Sequence, residues 1–228
     1  ITPEYWHTSY VATYLERDVR NILSVGNLRD FDRFLRACAL RIGQLLSFSD
    51  LARDVGISPN TVKSWISVLE TSGQIFLLEP YYRSLGKRLT KSPKLYFTDT
   101  GIAAFLLGFN SPESLFQSHL AGQFWENYVL LEYLKQVRGA GRQPRVWFWR
   151  TSNGEEIDLI IEHEGNIIAI ECKLSERPGE KEARRLKSFS DYVNSQVQGI
   201  VACRTPESYP LTTGIEAMPV REIIKVIS

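Results

Sequence analysis

Apolar positions along this chain follow two rhythms, and the change between them divides it. Through about residue 110 the recurring interval is three to four, the period of a helix with one buried face. Residues 5–24 carry Trp6, Tyr10 and Tyr14 on that interval. The stretch from about Asp30 to Ile42 repeats it with Phe31, Phe34, Leu35 and Cys38, and Gly43 stops it. Ser47–Val55 opens on a capping-box-like Ser47-x-x-Asp50, and Gly56-Ile57 turns the chain. Ser58 then caps a further helix with Pro59 in its first position and Val62, Ile66 and Leu69 facing inward. Beyond residue 110 one long helix, His119 to about Val137, gives way to strands. These are Arg145–Arg150, Ile157–Ile161, Ile167–Ile170, Gln198–Cys203 and Ile215–Val220. A charged amphipathic helix, Arg177–Val193, interrupts them, and Arg221–Ile227 closes the chain.

The first half therefore holds a helix, a glycine turn and a Ser-Pro-opened helix, the grammar of a helix-turn-helix. Two strands follow, Gly73–Leu78 and Lys94–Phe97, and no acid stands between residues 81 and 98. Arg83, Lys87, Arg88, Lys91 and Lys94 gather there. A hairpin with a basic loop is what a winged helix-turn-helix uses to touch phosphates. With Val62, Ile66 and Leu69 turned inward, Asn60, Lys63 and Ser64 are the candidate DNA contacts of the second helix. Such a domain also serves as a protein–protein joint, and a basic loop is often only solvated. Thr98-Asp99-Thr100 starts one more helix, Ile102–Leu107, ended by Gly108. The polar turn at Asn110-Ser111-Pro112 is the best linker, giving domains 1–110 and 111–228.

In the second half, Ile157–Ile161 and Ile167–Ile170 flank the polar turn His163-Glu164-Gly165-Asn166, which predicts a β-hairpin. Side chains alternate along a strand, so Glu171 and Lys173 share a face, about 7 Å apart along the strand, with Cys172 opposite. Asp158 breaks the Ile/Leu pattern of the partner strand. Carboxylates and a lysine in so apolar a hairpin are costly to bury unless paired or bound to a metal. Two acidic oxygens suit a hard cation such as Mg2+, which takes one or two protein carboxylates and keeps several waters. The competing reading is a capping aspartate and a solvated Glu–Lys pair on an edge strand.

Asp158, twelve intervening residues, then Glu171-Cys172-Lys173 resembles the D…ExK signature of the PD-(D/E)xK nuclease superfamily. That resemblance implies a restriction-endonuclease-like αβββαβ domain. Asp158 and Glu171 would be its metal ligands for Mg2+, Lys173 would position the water, and Glu126 in GQFWENYVLLEYL would be a supporting acid on the preceding helix. Further stretches, YLERDV, TVKSWISVLETSG, KRLTKSPKLYFTDTGIAAFLLG and GQFWENYVLLEYLK, resemble the part that follows the ATP-binding core in a family of prokaryotic AAA-type ATPases. In that family a helical lid and winged helix lead into a restriction-nuclease-like domain of unassigned function. The resemblance covers nearly the whole chain and implies an α/β (α+β overall) fold. It also implies a DNA-associated module, with the upstream ATP-binding core of the intact protein and further copies of the chain as partners beside DNA. No G-x-x-x-x-G-K-[ST] loop occurs, so no nucleotide site is expected in this chain. Glu16, Arg17 and Asp18 are read as a helix-surface ion network, or as contacts to a nucleotide or a neighbouring subunit.

Composition changes this picture little. At 228 residues, 43% hydrophobic, the chain has the make-up of a globular protein of one large or two ordinary domains. A net charge of +1 gives no global attraction to nucleic acid, so any binding depends on where the charges sit. Cys38, Cys172 and Cys203, odd in number and far apart, read as reduced buried thiols of a cytoplasmic protein. His7, His119 and His163 lack metal-ligand spacing. No apolar run is long enough for a membrane span. The opening ITPEYW lacks an initiating Met and suggests a fragment of something longer. Two functions stay open: a Mg2+-dependent phosphodiesterase, or a non-catalytic DNA- or protein-binding module that regulates the ATPase.

Overall fold

The computed structural model describes residues 3–11, 13, 28–81, 92–193 and 196–227. It is a mixed α/β chain that divides into two compact units. One comprises Ile1–Leu77 with Lys94–Phe124, the other Leu78–Pro93 with Trp125–Ser228.

The first unit holds α1 (Pro3–Tyr10), α2 (Leu28–Ala39), α3 (Phe48–Val55), α4 (Pro59–Thr71), strands β1 (Ile75–Leu78) and β2 (Lys94–Phe97), then α5 (Thr100–Leu106) and α6 (Pro112–Phe116). The caps are those the side chains dictate. Ser47 accepts from the Asp50 N–H, Ser58 from the Thr61 N–H, and Asp99 from the Gly101 and Ile102 N–H groups. Gly56 ends α3 at φ 86°, a left-handed conformation that glycine adopts without a Cβ clash. Phe31 and Phe34 of α2 meet the Trp65 ring edge-on, each at 5.2 Å, and so weld α2 to α4. The Gly43 N–H donates to the Leu95 carbonyl at 2.8 Å, and the Leu95 N–H donates to the Gln44 carbonyl at 3.1 Å. The turn after α2 thus touches β2 through isolated bridges, Ile42 with Leu95 and Leu45 with Lys94, beside the two-stranded β1–β2 pair. The basic loop residues Arg83, Lys87, Arg88 and Lys91 lie outside the described residues, as do Tyr14, Glu16, Arg17 and Asp18.

One expectation is corrected here. Lys94, grouped with the basic loop, sits inside β2 at 2% exposure and offers its charge to no outside ligand. The presumed linker contains α6, capped by Ser111. By compactness the chain divides between Phe124 and Trp125 and at both ends of residues 78–93; the Phe109 and Phe124 rings pack edge-on at 6.3 Å.

The second unit runs helix, three strands, helix, strand: most of α7 (Ala121–Gly139), β3 (Val146–Arg150), β4 (Glu156–His163), β5 (Asn166–Cys172), α8 (Glu180–Val193) and β6 (Val197–Ala202). Strand β7 (Tyr209–Thr212), β8 (Ile215–Met218) and α9 (Val220–Ile227) complete it. The sheet order is β3-β4-β5-β6-β8-β7, antiparallel from β3 to β5, parallel across β5-β6-β8, and antiparallel again at β7. Strand β7 is absent from the strands expected from the sequence; it contains Pro210 and lies at the sheet edge, where proline is tolerated. Glu79–Tyr81 run beside β3, with the Tyr81 N–H donating to the Phe148 carbonyl at 2.6 Å. Ala183, Leu186, Phe189 and Val193 of α8 form one face and bury Trp149, Ile160, Ala169 and Val201 of the sheet. Tyr128 of α7 follows the buried Phe124 by one helical turn yet is exposed.

Gly199 lies where β6 meets β8, and a Cβ there would stand 2.8 Å from the Ile215 Cγ1 and 3.4 Å from the Gly214 carbonyl oxygen. Neither neighbour is the free end of a flexible chain. Gly199→Ala is therefore expected to cost about 1–3 kcal/mol by overpacking, read as a lower urea midpoint.

Candidate active site

The acids and the lysine that the hairpin spacing singles out come together in the second unit. Strands β4 and β5 pair from His163↔Asn166 to Leu159↔Ile170, and continuing that register by one sets Asp158 across from Glu171. On its other side β4 slips against β3. Trp147 pairs with Ile160 but Trp149 pairs with Ile157, so Asp158 and Leu159 together face the one residue Phe148. Such a bulge bends the strand and re-aims a side chain. Here it lets the Asp158 carboxylate turn onto β5, where its Oδ2 accepts the Cys172 N–H at 2.7 Å.

Glu171 is the centre of the arrangement. Its side chain is 1% exposed, and its Oε1 accepts from Lys173 Nζ at 2.8 Å and from Arg185 Nη1 at 2.7 Å. Its Oε2 is buried with no hydrogen-bond partner among the described residues. Lys173 and Arg185 are less buried, at 30% and 44% side-chain exposure. The Lys173 backbone N–H donates to the Ala202 carbonyl at 2.9 Å, so β5 carries the lysine one residue past its formal end. The Trp125 indole donates to the same carbonyl at 3.0 Å and anchors the start of α7 there. The next residue is Glu126, half-buried. Its charge acts on the Cys172 thiol together with those of Asp158 and Glu171, so all three acids belong to one neighbourhood.

Burial, joined by the charge of Asp158, holds the Glu171 carboxyl above the usual carboxylate range despite its two cationic partners. Burial lowers Lys173, but the charge and hydrogen bond of Glu171 and the charge of Asp158 outweigh it and raise its pKa above the ordinary value. Lys173 is therefore a fixed cation at neutral pH, suited to hold an anion or orient a water and unsuited to take a proton.

Asp158, Glu171, Lys173 and Glu126 are thus brought together. Asn60, Lys63 and Ser64 lie on the other unit, all exposed on α4, while Val62, Trp65, Ile66 and Leu69 are buried. Arg185 is one of several basic residues on α8, and the run of charges does not single it out. The available signal was its place between Ala183 and Leu186, at the rim of the apolar face. Among the described residues no group of three or more His, Cys, Asp or Glu side chains is arranged to hold a metal. The oxygen donors are the two strand carboxylates, one with an unsatisfied buried oxygen. That set fits Mg2+, which binds through one or two carboxylates and otherwise keeps water, and does not fit a closed zinc cage.

Comparison with known proteins gives the following. Residues 2–113 match the family described as Domain of unknown function (DUF8612), and residues 121–223 match Domain of unknown function (DUF4143). The uncharacterized proteins Rv2008c of Mycobacterium tuberculosis and Mb2031c of Mycobacterium bovis are each 28% identical to this chain over 223 residues. That span is 96% of this chain and 48% of each relative, so the chain covers about half their length. The crystal structure of protein VC1899 from Vibrio cholerae aligns over 98% of this chain and 52% of its own, with 14% identity and a TM-score of 0.31. A likeness that low bears no structural argument. Among the described residues no helix is long and apolar enough to cross a membrane.

The raised Glu171 pKa sets a sign for stability against pH. The folded state holds the proton where the unfolded chain has already lost it, so ionising Glu171 weakens folding. The stability of the wild type relative to Glu171→Gln is expected to fall as pH rises from the ordinary carboxylate value to the raised one, then to level off. Urea titrations of both proteins across that range measure it; a difference that rises with pH contradicts the assignment.

Proposed function

We propose that the second unit is a Mg2+-dependent phosphodiesterase domain acting on DNA, and that the chain is the DNA-associated part of a larger AAA-type ATPase. The single observation that supports this reading best is the buried, unsatisfied Oε2 of Glu171, beside Asp158 and within a lysine's reach. A buried carboxylate oxygen without a partner is costly unless a ligand completes it. The αβββαβ order of the unit is the frame in which the D…ExK resemblance expects such a pair.

On this reading Asp158 and Glu171 hold the ion, with the bulge and the Cys172 N–H fixing the aspartate. When bound, Mg2+ supplies Lewis-acid polarisation of a phosphate oxygen and acidifies water. The residues of the chain do the rest. Lys173, kept protonated, orients the attacking water and balances charge building on the phosphate. Glu126 takes part as an accepting group at the edge of the site. Asn60, Lys63 and Ser64 of the winged-helix unit contact DNA, and its exposed α4 surface supports that role. The upstream ATP-binding core is the partner proposed for the remaining length of the intact protein.

One observation favours the rival, a non-catalytic DNA- or protein-binding module. Lys173 and Arg185 both occupy Glu171 Oε1, so much of the charge at the site is already neutralised from within. Plasmid nicking with Mg2+ or Mn2+, paired with calorimetric Mn2+ titration, separates the two. Lys173→Ala is expected to keep Mn2+ binding and lose about 100-fold or more in nicking rate, the cost typical of one charge-stabilising group. Asp158→Asn and Glu171→Gln are expected to lose Mn2+ binding itself. If Lys173→Ala nicks like the wild type, the phosphodiesterase reading is wrong; if no protein binds Mn2+ or nicks, the binding module stands.

A further inference from the structure

We propose that Arg185 is the residue of this site that binds the phosphate of its nucleic-acid ligand, an assignment that takes its ligand class from the reading above. The geometry has three parts. Glu171 Oε1 is held by two cations, Lys173 Nζ at 2.8 Å and Arg185 Nη1 at 2.7 Å, although one would neutralise it. Arg185 gives that oxygen a single N–H and has no other hydrogen-bond partner among the described residues. Its side chain is 44% exposed against 1% for the carboxylate it touches, so the guanidinium leads from the buried acid to the solvent.

A guanidinium carries five N–H donors in a flat fork, and a phosphodiester presents two free oxygens that match it. One prong on Glu171 fixes the plane, and the remaining donors are left for a ligand. A cation at this place is also required on electrostatic grounds. Three carboxylates, Asp158, Glu171 and Glu126, share the neighbourhood and repel a phosphate. Lys173 lies deeper, at 30% exposure, and is committed to Glu171. Lys181 stands one helical turn before Arg185 on α8, exposed, and extends the positive edge. Arg184 is exposed too, but it is drawn to Glu180 at 3.8 Å and has no bond to the acids of the site. It is the natural control.

The test is equilibrium binding of a short labelled DNA duplex to the 228-residue chain, with Ca2+ in place of Mg2+. Arg185→Gln is expected to weaken binding by about tenfold or more, as for loss of a charge-assisted fork. Arg184→Gln is expected to change it by less than about threefold, as for an exposed surface charge. Arg185→Lys keeps the charge and the Glu171 contact but not the fork, and is expected to lose about fivefold. Circular dichroism and urea unfolding check each variant, and Arg185→Lys decides if Arg185→Gln does not fold. Wild-type affinity in Arg185→Lys, or an equal loss in Arg184→Gln, overturns the assignment. Calorimetric Mn2+ titration of the same proteins separates the two ideas. Arg185-dependent DNA affinity without Mn2+ binding upholds the phosphate contact and removes the metal-dependent reading. Mn2+ binding with Arg185-independent affinity does the reverse.

Discussion

A carboxylate placed in the interior of a sheet must be answered, and the second unit is arranged around the answer to Glu171. One of its oxygens draws Lys173 from the same strand and Arg185 from α8, while the other has no hydrogen-bond partner among the described residues, on a carboxyl that feels the charge of Asp158. Taking an ion out of water costs several kcal/mol, and neighbouring charges recover that only with good geometry. The geometry is provided by independent elements. Strand alternation sets Lys173 beside Glu171, the bulge in β4 turns Asp158, and the apolar face of α8 seats Arg185 at its rim. Loss of both cations would leave the Glu171 charge in the interior without a counterpart.

The hairpin and the place of its polar residues were legible because they rest on a period of two. Ile-rich runs around His163-Glu164-Gly165-Asn166 fix the register, and the register fixes which residues share a face. The helix caps at Ser47, Ser58 and Asp99 were legible for a similar reason, since each is a local exchange between one side chain and nearby N–H groups. What the sequence hid is what depends on the third dimension. Arg185 stands among Lys181, Arg184 and Lys187, and nothing in that run of charges says which one reaches inward. The bulge at Asp158 leaves no mark, because an extra residue in one strand becomes visible only against its partner. Lys94 looked like part of a basic loop, yet strand pairing draws it into the first unit's interior.

In the first unit a different constraint operates. Trp65 packs on Phe31 and Phe34, which turns the opposite side of α4, with Asn60, Lys63 and Ser64, to solvent. The helix is amphipathic by necessity, and its polar side is available because the aromatic side is not. The same logic gives α8 a face for the sheet and an edge for charge, so both units offer polar groups from helices held by apolar contacts.

The thiol between the two residues at the heart of the site has its own consequence. Cys172 is buried, and that burial, with the fields of Asp158, Glu126 and Glu171, raises its pKa well above that of an ordinary cysteine. Only the thiolate attacks electrophiles or peroxide, so burial first, and the neighbouring carboxylates second, slow the reaction of this sulfur with alkylating reagents.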